Sequence, residues 1–228
     1  MQSLLNISQN VFIRKLDIND IAQIKDIQNI ILAESDHGFI HPRSDETLID
    51  YLSNSNNVVF GLETEDKIIA FGVLNVPKKN QRNKSLRFKI VPDEEWAYHS
   101  CFIESAMVLP NYRGKGLQKI LIETRIAAAI TCGMKWLCAG VKFDNYKSWG
   151  NLLAKGLVIV GYRVDLGYLI LGLAQKLNGP VLRFENKESM SVNIFDEQGH
   201  RTALDNGFLG INVVSEKNCS SVVYKRIA

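Results

Sequence analysis

The sequence predicts a mixed α/β fold, α+β in its hairpins and α/β at its centre: a largely antiparallel sheet with helices packed on it. Three observations lead there. Residues 101–156 alternate strand, helix, strand, helix, and strands joined through helices lie side by side in parallel with at least one face covered. The apolar runs 58–62 and 68–76, joined by Thr64-Glu65-Asp66-Lys67, have the pattern of an antiparallel hairpin. Finally, 228 residues with 46% hydrophobic and 22% charged side chains can bury one sizeable core, and no repeat or low-complexity linker divides them. A single domain over residues 1–228 is expected, with its core at about 11–164 and residues 165–228 completing or covering the sheet.

The elements follow in order. Residues 11–16 alternate apolar with basic side chains, as a short first strand does. Asp17 or Asn19 can cap a helix over about 19–34, in which Ile21, Ile24, Ile27, Gln28 and Ile31 keep helical spacing. A polar and aromatic loop through Pro42 leads to Ser44, the cap of a second helix carrying Leu48, Ile49 and Leu52. After the hairpin, residues 77–98 place six cations (Lys78, Lys79, Arg82, Lys84, Arg87, Lys89) before Asp93, Glu94 and Glu95. Phe88 alone among them could stack on a base, so this is a solvated loop or a patch that steers an acidic substrate or partner.

Strand 101–109, helix 117–131, strand 135–142 and helix 145–155 come next. In the longer helix, Leu117, Ile120, Leu121, Thr124 and Ala128 form a core stripe, with Ile122, Ile126 and Ala129 on a second surface. Residues 157–164 make a strand, and 166–177 a short apolar helix or a wall over the sheet. Asn178-Gly179-Pro180 is a break. Residues 188–195 suit a strand or an extended loop, 196–206 a helix capped by Asp196 with Gly207 beyond its end, and 208–214 and 221–226 two closing strands.

Composition excludes several classes. A net charge of +3 is too small to imply nucleic acid or an anionic membrane. The longest apolar run, 166–174, is about half of the ~20 residues a bilayer requires. The N-terminus has neither the basic nor the apolar region of a secretory signal. Cys101, Cys132, Cys138 and Cys219 follow no zinc or disulfide spacing, so buried free thiols in a reducing cytoplasm are expected.

The chain is organised around Arg113-Gly114-Lys115-Gly116-Leu117-Gln118. A strand stopped by Pro110 breaks at this turn and opens directly into a helix, so backbone N–H groups converge with the positive end of the helix dipole. Arg113 and Lys115 add full charges, which makes the turn a pyrophosphate cradle. It is not a Walker A loop, since no glycine stands five residues ahead of a Gly-Lys-Ser/Thr. Nor is it the dinucleotide fingerprint, which needs glycine or alanine where Lys119 stands.

The element order, with Val108-Leu109-Pro110-Asn111-Tyr112-Arg113-Gly114-Lys115-Gly116 leading into the helix, resembles the GNAT superfamily of N-acetyltransferases. Arg113 and Gly116 match the first two positions of that family's Q/R-x-x-G-x-G/A motif, and Gln118 replaces the last. Asn145-x-x-Ser148 and Lys155-Gly156-Leu157 resemble its second motif. The resemblance covers residues 11–164 and implies a GNAT-type sheet, largely antiparallel, with a central parallel splay between the fourth and fifth strands and helices on both faces.

It also implies acetyl-CoA as cofactor and a primary amine of a small molecule or peptide as acceptor, attacking directly in a ternary complex; a homodimer is left open. Met107, Val108, Leu109, Arg113, Gly114, Lys115, Gly116, Leu117, Gln118, Asn145 and Ser148 would hold the cofactor. A backbone N–H near Val108 would serve the oxyanion and the pantetheine arm. Asn145 fits a pantetheine contact or a plain helix cap equally.

A free amine of pKa ~10.4 must lose a proton before attack. Glu104, in an otherwise apolar strand and on one face with Ala106 and Val108, is either that base or a salt-bridged strand carboxylate. Leu152 stands where the family often has a tyrosine that protonates the leaving thiolate, with Tyr146, Tyr162, Tyr168 or water as substitutes. This departure supports an alternative, a CoA-binding sensor or interaction module without turnover. Cys101 and Cys138 lack the paired histidine that an acyl-enzyme requires. His37, Phe39, His41 and Tyr98 are substrate-contact candidates, and no metal is expected because His37 and His41 have no third ligand.

Overall fold

The computed structural model of the chain describes residues 11–34, 42–65, 67–78, 98–178, 182–216 and 219–228. Its contacts gather into two units, Met1–Lys78 with Ile103–Cys132, and Lys79–Phe102 with Gly133–Ala228.

In the first unit β1 (Phe12–Lys15), β2 (Asn57–Thr64) and β3 (Lys67–Asn75) pair antiparallel, and β4 (Ser100–Val108) follows β3 in the sheet order. Seven successive residues of β3 are buried, which requires cover on both faces of the sheet. The apolar stripes of α1 (Ile21–Ala33), α2 (Asp45–Ser53) and α3 (Leu117–Thr131) provide that cover. A capping box in the 3-10 turn Ile18–Asp20 starts the first helical segment. Asp17 accepts from the Asn19 amide and Asp20 from the Asp17 amide. Arg14 of β1 fastens that turn to the sheet by pairing with Asp20 and Glu63. Ser44 caps α2 as expected, accepting from the Thr47 amide.

Helix α3 buries Leu117 and Leu121 of the expected stripe and Ile122 and Ala129 of the second surface. The residue not expected there is Arg125, only 1% exposed. Its guanidinium donates to the carbonyls of Leu121 (2.9 Å) and Val73 (3.4 Å), and burial pushes its pKa down to about 9. Gly72 makes room for it, since a Cβ there would lie 3.0 Å from the guanidinium carbon. An arginine in an apolar stripe is invisible to hydrophobic periodicity.

The second unit contains β5 (Trp136–Lys142), α4 (Tyr146–Leu153), β6 (Val158–Asp165), β7 (Tyr168–Lys176), β8 (Phe184–Asn193), α5 (Glu197–Asp205), β9 (Leu209–Glu216) and β10 (Cys219–Ile227). Its strand order is β5-β7-β6-β9-β10-β8, with antiparallel pairing throughout. The expected helix or wall at 166–177 is instead β7, between β5 and β6. Both faces of β7 are buried from Leu169 to Ala174, which erases the alternation that marks a strand. Leu166 and Gly167, at φ of 49° and 80°, form the two-residue hairpin turn before it.

The helix at 196–206 forms as α5, capped by Asp196, which accepts from the Gly199 amide. It docks through His200, fully buried, whose Nε2 donates to the Asn193 carbonyl while Nδ1 accepts from the Tyr224 hydroxyl (2.6 Å). Of the thiols expected to be buried, Cys101 and Cys138 are, whereas Cys132 and Cys219 are exposed. Cys132 follows the last turn of α3 and Cys219 opens β10, positions at the ends of elements where packing is incomplete. Among the described residues no helix is long and apolar enough to cross a membrane.

Candidate functional site

The glycine turn is built by local conformation. After β4 the Leu109 amide donates to the Ile69 carbonyl (2.9 Å), closing the last rung onto β3. Pro110–Tyr112 then make a 3-10 turn, with the Arg113 amide on the Pro110 carbonyl (3.0 Å). Gly114 and Gly116 adopt φ of 76° and 77°, the left-handed region in which a side chain is strained. A Cβ at either would meet nothing within 4 Å, so conformation rather than crowding within the chain demands glycine.

Gly116 is the N-cap of α3 and offers no side-chain cap. Its carbonyl accepts from Lys119 and Ile120. The amides of Gly114, Lys115, Gly116 and Leu117 have no backbone acceptor among the described residues. A run of such donors at the positive end of a 15-residue helix suits a diphosphate. The cations are exposed beside it. Lys115 lies over the Tyr112 ring (5.1 Å), and Arg113 donates to the Val108 carbonyl (3.3 Å) and pairs with Glu34 (2.9 Å). That ion pair is about half exposed on both sides, so it is weak enough for an anionic ligand to displace.

β4 also carries the candidate base. Glu104 is half-buried, and burial pushes its carboxyl above the usual range while the Arg43 charge opposes the shift. On the next residue, Ser105 Oγ accepts from Arg43 Nε (3.0 Å) and shares a hydrogen bond with the Tyr51 hydroxyl (3.2 Å). Burial raises the Tyr51 phenol, with Ser105 and Arg43 opposing, so it stays protonated at neutral pH. Arg43 itself is clamped. The Gln28 side chain, 6% exposed, donates to the Arg43 carbonyl and accepts from the Arg43 amide, both at 2.9 Å.

Gln28, Arg43, Tyr51 and Ser105 were not marked by sequence reasoning. One signal was present: a glutamine on the apolar stripe of α1 needs a partner when buried.

In the second unit, Asn145 caps α4 by accepting from the Ser148 amide (3.2 Å). Leu152 is a core residue of the same helix. The tyrosines considered in its place are each engaged: Tyr146 stacks edge-on with Phe195, Tyr162 donates to the Asp205 carboxylate, and Tyr168 lies under the Lys142 ammonium. Of the remaining expected residues, Met107 is buried, Val108 half-buried, and Tyr98 exposed ahead of β4. His37, Phe39 and His41 lie outside the described residues.

A family model described as acetyltransferase (GNAT) family matches residues 24–152. Among solved structures the chain is similar to yncA from Salmonella typhimurium, with its cofactor acetyl-CoA, at 19% identity and a TM-score of 0.56. The likeness covers 75% of this chain and 95% of that one. It is also similar to the ribosomal-protein-S18-alanine N-acetyltransferase from Escherichia coli, at 17% identity and a TM-score of 0.55 over 78% and 99% of the two chains. An acetyltransferase of the GNAT family from Streptococcus pneumoniae aligns at 17% identity and a TM-score of 0.57 over 74% and 99%. No curated protein sequence matches.

Proposed function

The chain belongs to the acetyltransferase (GNAT) family, and on that premise we propose that it moves an acetyl group from acetyl-CoA to a primary amine of a small molecule or peptide, by direct attack in a ternary complex. The observation that carries this reading is the paired left-handed glycines opening an uncapped α3. The family match runs through parts of both compact units, which favours one catalytic domain over two independent ones. The similar folds include a ribosomal-protein-S18-alanine N-acetyltransferase and yncA, the latter with its cofactor acetyl-CoA.

Bound acetyl-CoA supplies an activated acyl group with a thiol as leaving group. The amides of Gly114 to Gln118 would take its pyrophosphate, with Arg113 and Lys115 adding charge. Asn145 and Ser148 would hold the pantetheine arm. Glu104 removes the proton from the incoming ammonium, directly or through water. Its raised pKa brings it closer to that of the amine and makes it a stronger base than an exposed carboxylate. Cys138 does not compete as a nucleophile, because burial pushes its thiol well up and keeps it protonated. The free thiols, two of them exposed, suit a reducing cytoplasm.

Free-thiol release from acetyl-CoA, measured over amino acids, polyamines, aminoglycosides and peptide N-termini, tests the reading. Glu104→Gln should lower kcat by ~10²-fold or more. An unchanged kcat and pH–rate profile would make Glu104 structural. CoA binding with no thiol release from any amine would leave the chain as a CoA-binding module.

A further inference from the structure

The segment that leads from β5 into α4 is held from outside as well as by its own bonds. Within it Trp149 Nε1 donates to the Phe143 carbonyl (2.8 Å), and Asn145 accepts from the Ser148 amide (3.2 Å). Phe143 and Trp149, which flank Asn145 and Ser148, each meet the His200 ring nearly edge-on, at centroid distances of 5.2 and 6.2 Å. Tyr146, between them, meets Phe195 in the same way at 5.5 Å. His200 and Phe195 both belong to the C-terminal part of the second unit, beyond residue 152, where the family match ends. The backbone attachment of that part is slight: among the described residues β9 meets β6 at the register pair Ile159–Gly210. Side chains must therefore dock it, and His200 is the demanding choice. Fully buried, it needs a partner for each ring nitrogen, and it has them in the Tyr224 hydroxyl (2.6 Å) and the Asn193 carbonyl (3.0 Å). Two directional bonds fix the plane of the ring, which apolar packing alone would leave freer.

We propose that the C-terminal segment β8–α5–β9–β10 braces the cofactor helix, with His200 and Phe195 as positioning residues that hold Asn145 and Ser148 ready for the pantetheine arm of CoA. This rests on the acetyl-transfer reading, in which those two residues hold that arm. His200 packs on Phe143 and Trp149 and acts through them, fixing the end of β5 and the first turn of α4 together. Phe195, 69% exposed, gains little from burial, and its contact is with the residue that follows Asn145. Polar groups ordered before the cofactor arrives need not be ordered by it, so the brace should show as affinity for the flexible arm. The nucleotide end, whose charges would meet the cradle of the first unit, should be indifferent to it.

The test compares, by calorimetry, binding of CoA with binding of adenosine bisphosphate, the nucleotide end of CoA without its pantetheine arm. Phe195→Ala should raise the CoA dissociation constant by about 3- to 10-fold, the size of one lost hydrogen bond, and leave that of the nucleotide unchanged. Amide hydrogen exchange over residues 145–149 should quicken by a similar factor. Phe195→Tyr, which keeps the ring, should behave as the wild type does. His200→Gln can keep both hydrogen bonds but loses the ring, and should shift CoA binding in the same direction. An equal loss for CoA and the nucleotide overturns the inference, as does unchanged CoA affinity in Phe195→Ala where Asn145→Ser loses it. Should neither Asn145→Ser nor Ser148→Ala change CoA affinity, the pantetheine assignment fails on its own. Exchange over 145–149 then decides the brace, because faster exchange in Phe195→Ala upholds it and unchanged exchange overturns it.

Discussion

The glycine cradle and the corner around Glu104 and Ser105 are both reached along β4 but are made in opposite ways. The cradle occupies residues 108–118, a contiguous stretch whose shape is set by a proline, two left-handed glycines and the first turn of a helix. The corner draws residues 28, 43, 51, 104 and 105 from α1, α2, the segment before it and β4, and is held by side-chain hydrogen bonds spanning up to 62 positions. Backbone conformation makes the first and tertiary packing the second. Mutations should therefore fail differently. In the cradle one residue should decide binding, whereas in the corner the proposed base and the residues that hold its surroundings should be separable.

The sharpest break is expected at Gly116. Gly116→Glu forces a side chain to φ near 77°, at a cost of about 1–2 kcal/mol, and sets a carboxylate among the donors meant for an anion. Thermal stabilisation by CoA should vanish while the free protein still unfolds cooperatively. Retained stabilisation would remove the cradle from the argument.

Glu104→Gln comes next, and its effect on stability sharpens its kinetic loss. The Glu104 pKa is raised in the folded state, so between the unfolded and folded values the native chain binds the extra proton. Stability then falls as pH rises through that window, and the penalty is complete above the folded pKa. Glu104→Gln should therefore be as stable as the wild type at low pH and more stable above the window, while turnover drops by ~10²-fold. Urea unfolding across pH checks this. A variant that is less stable at neutral pH would instead reveal a carboxylate held in a stabilising ion pair.

Gln28→Leu should act more mildly. Removing the clamp leaves the Arg43 amide and carbonyl without their partner, at a cost of about 1–3 kcal/mol in stability. It should also loosen the Arg43–Ser105 bond on β4, with the CoA affinity of the cradle retained. A loss of CoA affinity in this variant would mean that the two regions are not separable.

How much could be foreseen follows the same division. The strands of the β2–β3 hairpin, the caps at Ser44 and Asp196, and the Arg113–Gln118 turn are short-range patterns, and each was legible. β7 was not, because burial on both faces removed its alternation; Arg125 was not, because a charge interrupts the apolar stripe it occupies. Glu104 stood out as a lone carboxylate in an apolar strand. Its companions could not, since nothing in the sequence brings residue 43 to residue 105.

Asn145 offers the smallest effect and tests whether a residue of the second unit serves the cofactor at all. Its side-chain oxygen accepts from the Ser148 amide, which a serine at the same position could also do, whereas only asparagine adds an amide donor. Asn145→Ala should cost about 1 kcal/mol as a lost cap. Asn145→Ser should cost almost none, so any change in CoA affinity in that variant reports the missing donor alone. A rise of about 5- to 10-fold in the CoA dissociation constant, at unchanged unfolding temperature, would assign the amide to the pantetheine arm. Unchanged affinity would make Asn145 a helix cap only, and would leave Ser148 as the residue of this helix still to be tested against the cofactor.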